Sequence, residues 1–205
     1  DILLAELTGA RLHIAHVSTA GSVRMLREAK ARGIPVTAEV TPHHFTLTEE
    51  AVKGYDTNAK VNPPLRTKAD VEAVKEGLAD GTIDVIASDH APHSSEDKEV
   101  EFDLAAFGIS GLELALPLSL NLVRNKVLSL TDLVAKMTMG PAQTLGLRKG
   151  SLTVGSDADI TIIDINKEWT VDIKDFRSKG KNSPFQGWTM KGYAEVIVGG
   201  KPVRL

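Results

Sequence analysis

Ile83-Asp84-Val85-Ile86-Ala87-Ser88-Asp89-His90-Ala91-Pro92-His93 is the stretch whose reading decides the fold. Ile83, Val85, Ile86 and Ala87 follow Gly81 as a nearly continuous apolar run, the pattern of a strand buried on both faces of a parallel sheet. An acid, two histidines and a proline within residues 89–93 cannot continue such a strand. They belong where it leaves the sheet, at its C-terminal end, where α/β enzymes keep their active sites. The plainer alternative is a polar loop in which Asp89 caps a turn and the histidines are solvated.

Upstream the pattern occurs twice more. Residues 12–17 read as a strand with Leu12, Ile14 and His16 on one face and His13, Ala15 and Val17 on the other. Both faces are mostly apolar, so alternation leaves open which histidine points inward. Ser18 or Thr19 can cap a helix with Val23, Leu26 and Ala29 on its apolar face, closed by Gly33 and Pro35. Residues 36–40 make the next strand, with Thr41-Pro42-His43-His44 as its polar exit. The connection over 45–66 is long for a βα loop and holds Asn62-Pro63-Pro64-Leu65-Arg66. Thr67 and Asp70 form a capping pair for a helix bearing Val71, Val74 and Leu78, which Gly81 closes. The three βα-type strands each end in His or Asp, as the C-terminal face of a TIM barrel provides. Ahead of them, residues 1–7 read as the tail of a helix with a left-handed cap at Gly9.

Downstream of His93 helices are expected. An apolar run over 112–123 is broken at Pro117, Thr131 caps a helix through Met137, and Pro141 opens a short helix ending near Gly146. From about Gly150 the chain changes to Gly-punctuated alternation. Strands are expected over 151–154, 160–164, 193–198 and 203–205, with turns at Gly155-Ser156-Asp157 and Gly199-Gly200-Lys201. The expected division is an α/β portion over 1–149 and a β-rich portion over 150–205.

Composition narrows the function classes. The 205 residues, 42% hydrophobic and 25% charged, suffice for one domain or a domain with a small appendage. A net charge of −3 with dispersed Lys and Arg argues against nucleic acid or a membrane surface as a partner. The absence of cysteine excludes disulfides and thiolate metal sites, so any metal is held by His, Asp or Glu, and a reducing cytosol is compatible. No apolar run reaches the roughly 20 residues of a membrane span. No secretory leader is visible, and Asp1 in place of Met reads as a processed or truncated chain.

Together His13-Ile14-Ala15-His16-Val17-Ser18-Thr19, Thr41-Pro42-His43-His44, Asn62-Pro63-Pro64-Leu65-Arg66, Ser88-Asp89-His90-Ala91-Pro92-His93 and Gly108-Ile109-Ser110-Gly111-Leu112-Glu113 resemble, in order and spacing, the bacterial-type (class I) dihydroorotases of the amidohydrolase superfamily. Gly150-Ser151-Leu152-Thr153-Val154-Gly155-Ser156-Asp157-Ala158-Asp159 is similar to the segment by which amidohydrolases return to their β-subdomain. The resemblance covers essentially the whole chain. It implies an α/β fold: the C-terminal portion of a (β/α)8 TIM barrel, about strands six to eight, followed by part of a small β-rich subdomain. It further implies a cytoplasmic zinc hydrolase of pyrimidine biosynthesis that reversibly converts (S)-dihydroorotate to N-carbamoyl-L-aspartate.

Carried over residue by residue, the resemblance makes His16 a zinc ligand at the end of barrel strand six. Asp89, at the end of strand eight, becomes a zinc ligand and the catalytic acid/base. Asn62 and His93 become substrate contacts, and Phe107 with Gly108 a main-chain pair that holds substrate. His13, His43, His44 and His90 receive no ligand role and read as packing or hydrogen-bonding partners of the strand ends. The residue types suit amide hydrolysis, in which metal activates water and polarises the carbonyl while a carboxylate moves the proton to the departing nitrogen.

The chain also departs from the family. A His-x-His on barrel strand one, an Arg after it, a bridging acid or carboxylated lysine on strand four and a histidine on strand five have no counterpart in residues 1–12. The complete site is expected to hold two zinc ions, whereas His16 and Asp89 are fewer than the three or four ligands a zinc usually takes. The isolated chain is therefore expected to be metal-poor and inactive without its N-terminal half, and a partner, whether that half or a second copy in a homo-oligomer, is expected to cover the open sheet edges. Other readings are a hydantoinase or allantoinase, or a non-catalytic dihydroorotase-like partner of aspartate transcarbamoylase.

Overall fold

Local sequence rules explain most elements of the computed structural model, which describes residues 1–203. Helix α1 (Ile2–Thr8) ends on Gly9, left-handed at φ 70°, whose N–H returns to the Ala5 carbonyl. Strand β1 (Leu12–Ile14) leads to α2 (Ala20–Ala31), where the Thr19 side chain accepts from the Ser22 N–H. Strand β2 (Val36–Val40) runs straight into α3 (Pro42–Thr46), and two short 3-10 turns, Glu49–Val52 and Thr57–Ala59, occupy the long connection. Helix α4 (Lys68–Ala79), capped by Thr67, buries Val71, Val74 and Leu78 and delivers the chain to β3 (Val85–Ile86). Four helices follow: α5 (Ser95–Lys98), α6 (Ala115–Arg124), α7 (Leu130–Met137) and α8 (Met139–Thr144). The last part contains β4 (Ile160–Thr170), β5 (Thr189–Val198) and β6 (Lys201–Val203).

Strands β1, β2 and β3 form a parallel sheet in that order, with Ile14 opposite Ala38 and Val40 opposite Ile86. Backbone bonds continue past the named strands, from Val17 N–H to Glu39 O at 2.9 Å and from Ala87 N–H to Val40 O at 3.0 Å. The three strands therefore leave the sheet side by side and on the same edge. Strands β4, β5 and β6 form an antiparallel meander. Its last hairpin turns on Gly199 (φ 56°) and Gly200 (φ 77°), a left-handed pair whose twist matches that of the flanking strands.

Two apolar clusters hold these layers. One packs Val23, Leu26, Val74, Leu78, Leu120 and Leu133 against Val40 and Ile83 of the parallel sheet region. Each fully buried side chain of this size contributes about 1.5–3 kcal/mol. The other gathers Val61, Leu65, Ile109, Leu118, Phe185 and Met190 beneath the connecting loops and joins them to the antiparallel region. Strand β5 lies on α6 at Gly192 (φ 118°), where a Cβ would stand 2.3 Å from Leu120 Cδ1. Only a glycine permits that approach.

Several local expectations are corrected. The polar exit at residues 41–44 is helical: Thr41 caps α3, Pro42 takes its first turn, and His43 and His44 are buried, as expected of packing partners of the strand ends. Helix α6 passes through Pro117, its third residue, where the missing N–H has no intrahelical bond to lose. Helix α7 is capped by Ser129, which accepts from Asp132 N–H, rather than by Thr131. Residues 151–154 form no strand; they are exposed and bend through a Ser156-to-Thr153 turn. Strands expected at 160–164 and 193–198 are longer, because Glu168, Trp169 and Thr170 pair with Lys191, Met190 and Thr189 beyond a bulge. The strand expected over 203–205 is Lys201–Val203, and residues 204 and 205 lie outside the described residues. Among the described residues no helix is long and apolar enough to cross a membrane.

Candidate active site

The parallel register brings His16, Glu39, His43 and Asp89 to one edge of the sheet. His16 follows β1, Glu39 lies near the end of β2, His43 opens α3, and Asp89 follows β3. His16 (φ 55°) and Asp89 (φ 45°) are both left-handed, which costs a non-glycine residue free energy and is found where a side chain must be aimed. Strict alternation would send His13 and His16 to opposite faces. Instead both meet one carboxylate: Glu39 Oε2 is 3.1 Å from His13 Nε2, and Oε1 is 3.1 Å from His16 Nδ1.

The cluster is only partly self-satisfied. His13 is complete, since its Nε2–H donates to Glu39 and its Nδ1 accepts from the Thr37 hydroxyl at 2.8 Å. His16 Nε2 stands 3.5 Å from Asp89 Oδ1, and His43 Nε2 stands 3.8 Å from Asp89 Oδ2. Both distances exceed a good hydrogen bond. His16 Nδ1 is close to Glu39 but poorly aligned, and with His43 Nε2 it is buried without a hydrogen-bond partner. Unpaired buried nitrogens of this kind are costly unless another group completes them.

Electrostatics sharpen the roles. Burial, with the nearby His44 and His16, holds the His43 imidazole well below its ordinary value, so it is neutral at neutral pH. Burial raises the Asp89 carboxyl, Glu39 raises it further, and His16 opposes the shift. A carboxyl lifted in this way is suited to taking and returning a proton.

His16 Nε2 and Asp89 Oδ1 fit two positions of a zinc site. Ligands about 2.0–2.1 Å from a tetrahedral ion lie roughly 3.3–3.4 Å apart, close to the separation found here. Among the described residues no group of three or more His, Asp or Glu side chains is arranged to hold a metal ion. The donor set present is thus a partial one.

The residues expected to touch substrate lie on three connected loops. Asn62 is exposed on the long connection, and the neighbouring Pro63 carbonyl accepts from His44 Nε2 at 2.8 Å. His93 Nε2 donates to the Phe107 carbonyl at 2.9 Å. Gly108 N–H donates to Lys60 O at 2.9 Å, which ties this loop to the Asn62 connection. Gly108 O is bonded by Lys98 Nζ at 3.2 Å and Asn182 Nδ2 at 3.0 Å. Of the main-chain pair, the Phe107 N–H is therefore the group left without a bond among the described residues. Gly108 is obligatory: at φ 141° a Cβ would sit 2.4 Å from Ala91 Cβ.

His44 and His90 serve the scaffold. His44 Nδ1 accepts from the Thr41 hydroxyl at 2.7 Å, and burial pushes this imidazole down to about 4. His90 Nδ1 accepts from the Gly111 and Leu112 N–H groups, both at 3.2 Å. Sequence reasoning missed Glu39, His43 and Asn182 as members of the site. Glu39 had a visible signal, an acid inside the apolar strand Val36–Val40, whereas Asn182 lies in a segment without periodicity.

The sequence profile described as "Amidohydrolase family" matches residues 4–203. Proteins named dihydroorotase are similar over nearly the whole chain. That of Syntrophus aciditrophicus is 61% identical over 192 residues, covering 94% of this chain and 45% of its own length. That of Pelotomaculum thermopropionicum is 63% identical over 205 residues, covering 99% of this chain and 48% of its own length. The chain thus spans about half the length of these curated relatives. Among solved structures, L-hydantoinase (dihydropyrimidinase) from Arthrobacter aurescens superposes with a TM-score of 0.93 at 37% identity, over 98% of this chain and 46% of that one. Dihydropyrimidinase from Brevibacillus agri superposes with a TM-score of 0.92 at 28% identity over the same shares.

Proposed function

The chain belongs to the amidohydrolase family, and from that premise we propose that it is the C-terminal part of a zinc-dependent dihydroorotase. The observation that carries this reading is the pairing of His16 Nε2 and Asp89 Oδ1 at 3.5 Å on two left-handed strand-end residues. The high identity to proteins named dihydroorotase supports the choice of substrate. In this reading β1, β2 and β3 are barrel strands six, seven and eight, and the division falls between 1–149 and 150–205.

His16 and Asp89 would hold zinc together with ligands from outside these 205 residues. Bound zinc supplies polarisation of the amide carbonyl and lowers the pKa of water. The Glu39 carboxylate stands 3.1 Å from His16 Nδ1, on the side of the ring away from the Nε2 that faces Asp89. Asp89, with its raised pKa, takes the proton from the attacking water. As the ring C–N bond breaks it returns that proton to the departing nitrogen, giving N-carbamoyl-L-aspartate. Neutral His43 closes the site beside Asp89 without adding a competing charge. Asn62, His93 and the Phe107–Gly108 main chain orient the ring of the substrate.

An N-terminal half of the same protein is the partner that completes the site, in a cytoplasmic enzyme that forms homo-oligomers or associates with aspartate transcarbamoylase. The isolated 205 residues are inactive in this reading. The test is turnover by the full-length protein of dihydroorotate, hydantoin and dihydrouracil side by side, with zinc quantified. Dihydroorotate should have the highest kcat/KM. The similarity to L-hydantoinase supports the second reading, a hydantoin-cleaving enzyme, which preference for hydantoin would establish instead. Absence of both zinc and turnover would leave only a structural role.

A further inference from the structure

The segment between β4 and β5 returns to the edge of the parallel sheet and inserts one amide between two loops. Asn182 is 5% exposed. Its Nδ2 donates to Ala91 O and to Gly108 O, both at 3.0 Å. Its Oδ1 accepts from His93 N–H at 2.8 Å and from the Ser110 hydroxyl at 2.9 Å. A primary amide has two N–H donors and two acceptor lone pairs, so every bond this side chain can make is made. Its main chain joins in, since Asn182 O accepts from Ser110 N–H at 2.7 Å.

The surroundings leave the amide no slack. Ser110 is fully buried, and its single hydroxyl proton is shared between Asn182 Oδ1 at 2.9 Å and Gly180 O at 2.8 Å. A Cβ on Gly180 would lie 2.6 Å from the His93 nitrogen, so the segment packs against the His93 backbone itself. On the far side of the amide, the His93 ring donates to the Phe107 carbonyl. Asn182 thus sets the distance between the two loops from which a ligand would be gripped.

We propose that Asn182 is a positioning residue for the cyclic-amide substrate, acting through His93 and the Phe107–Gly108 main chain. This rests on the reading above, in which those groups touch substrate. Asn182 touches neither the reacting atoms nor His16 and Asp89, so its loss should act on substrate binding and leave metal binding alone. Replacing it by Asp keeps the shape but turns two donors toward the Ala91 and Gly108 carbonyls into acceptors, which forces the loops apart.

The experiment compares full-length parent, Asn182→Asp and Asn182→Ala for kcat, KM, bound zinc and thermal unfolding. Each is assayed with whichever of dihydroorotate, hydantoin and dihydrouracil the parent cleaves. We expect KM to rise about tenfold or more, kcat to stay within about threefold, and zinc content and cooperative unfolding to be retained. An unchanged KM, or a fall in kcat that follows a loss of zinc, overturns the proposal. Should Asn182→Ala not fold, Ser110→Ala removes one of the four side-chain partners, and a KM equal to the parent's there overturns it as well. Amide hydrogen exchange at His93 and Ser110 reads the same clamp without substrate: protection unchanged by Asn182→Asp also overturns it. A parent that ignores dihydroorotate defeats the substrate reading alone, because the exchange measurement still decides the clamp.

Discussion

The two ends of the parallel sheet carry polar clusters of similar make-up and opposite finish. At the end where the strands enter, Asp84 takes Lys30 Nζ on both oxygens at 2.7 Å and Ala38 N–H at 2.8 Å. Lys136 Nζ donates to Ile83 O at 2.6 Å, and Arg27 donates to Asp80 at 2.6 and 2.9 Å. Every one of these contacts is a finished hydrogen bond. At the end where the strands leave, His16, His43 and Asp89 stand 3.5 and 3.8 Å apart, with two buried nitrogens unpartnered and two residues left-handed. One end is complete within the chain and serves stability. In the proposed reading the other is the catalytic face, where strained, partly satisfied side chains are expected.

The contrast can be broken most directly at Asp89. In the full-length protein Asp89→Asn should lower kcat/KM by about a thousandfold or more, because it removes both a metal ligand and the proton carrier. A loss under tenfold in steady-state assays would mean the leaving edge is not the reaction centre. Next comes His43→Leu, which is expected to lower kcat/KM by about 10- to 100-fold with folding retained, as for groups that support a metal ligand. Activity equal to the parent's would return His43 to the role of simple packing.

At the entering edge the expected effect changes kind. Asp84→Asn should cost about 1–3 kcal/mol in urea unfolding while kcat/KM stays within twofold. A larger loss of activity than of stability would erase the distinction between the two ends. The smallest effect is one of pH. His44 titrates at about 4 in the folded chain and near 6.5 when unfolded. Between those values only the unfolded state binds the proton, so stability present above pH about 6.5 is lost as pH falls toward about 4. His44→Asn should flatten that slope, and an equally steep decline in the variant would assign it to other groups.

Much of this was legible without coordinates. The apolar runs, the Thr67 cap and the Gly9 stop are local features, and local rules read them correctly; the same rules allow Ser18 or Thr19 at the start of α2, where Thr19 is the cap. The reading failed where a neighbour decides the outcome. Residues 41–44 read as the polar exit of a strand and not as a helix until α3 is packed, and Pro117 reads as a break unless its position in the first turn is known. Residues 151–154 alternate like a strand but find no partner among the described residues, and a strand without a partner is not one.

The amino-acid sequence by itself determined that three buried strands end in polar residues, and which acids and histidines stand at those ends. Period-two burial and turn chemistry are written residue by residue. Only the tertiary structure decided that His16 turns to the face of His13, that Glu39 stands between them, and that Asn182 joins two loops from 72–91 residues away. Side-chain direction at a left-handed residue and contacts between distant segments depend on the packed chain, and no local pattern encodes them.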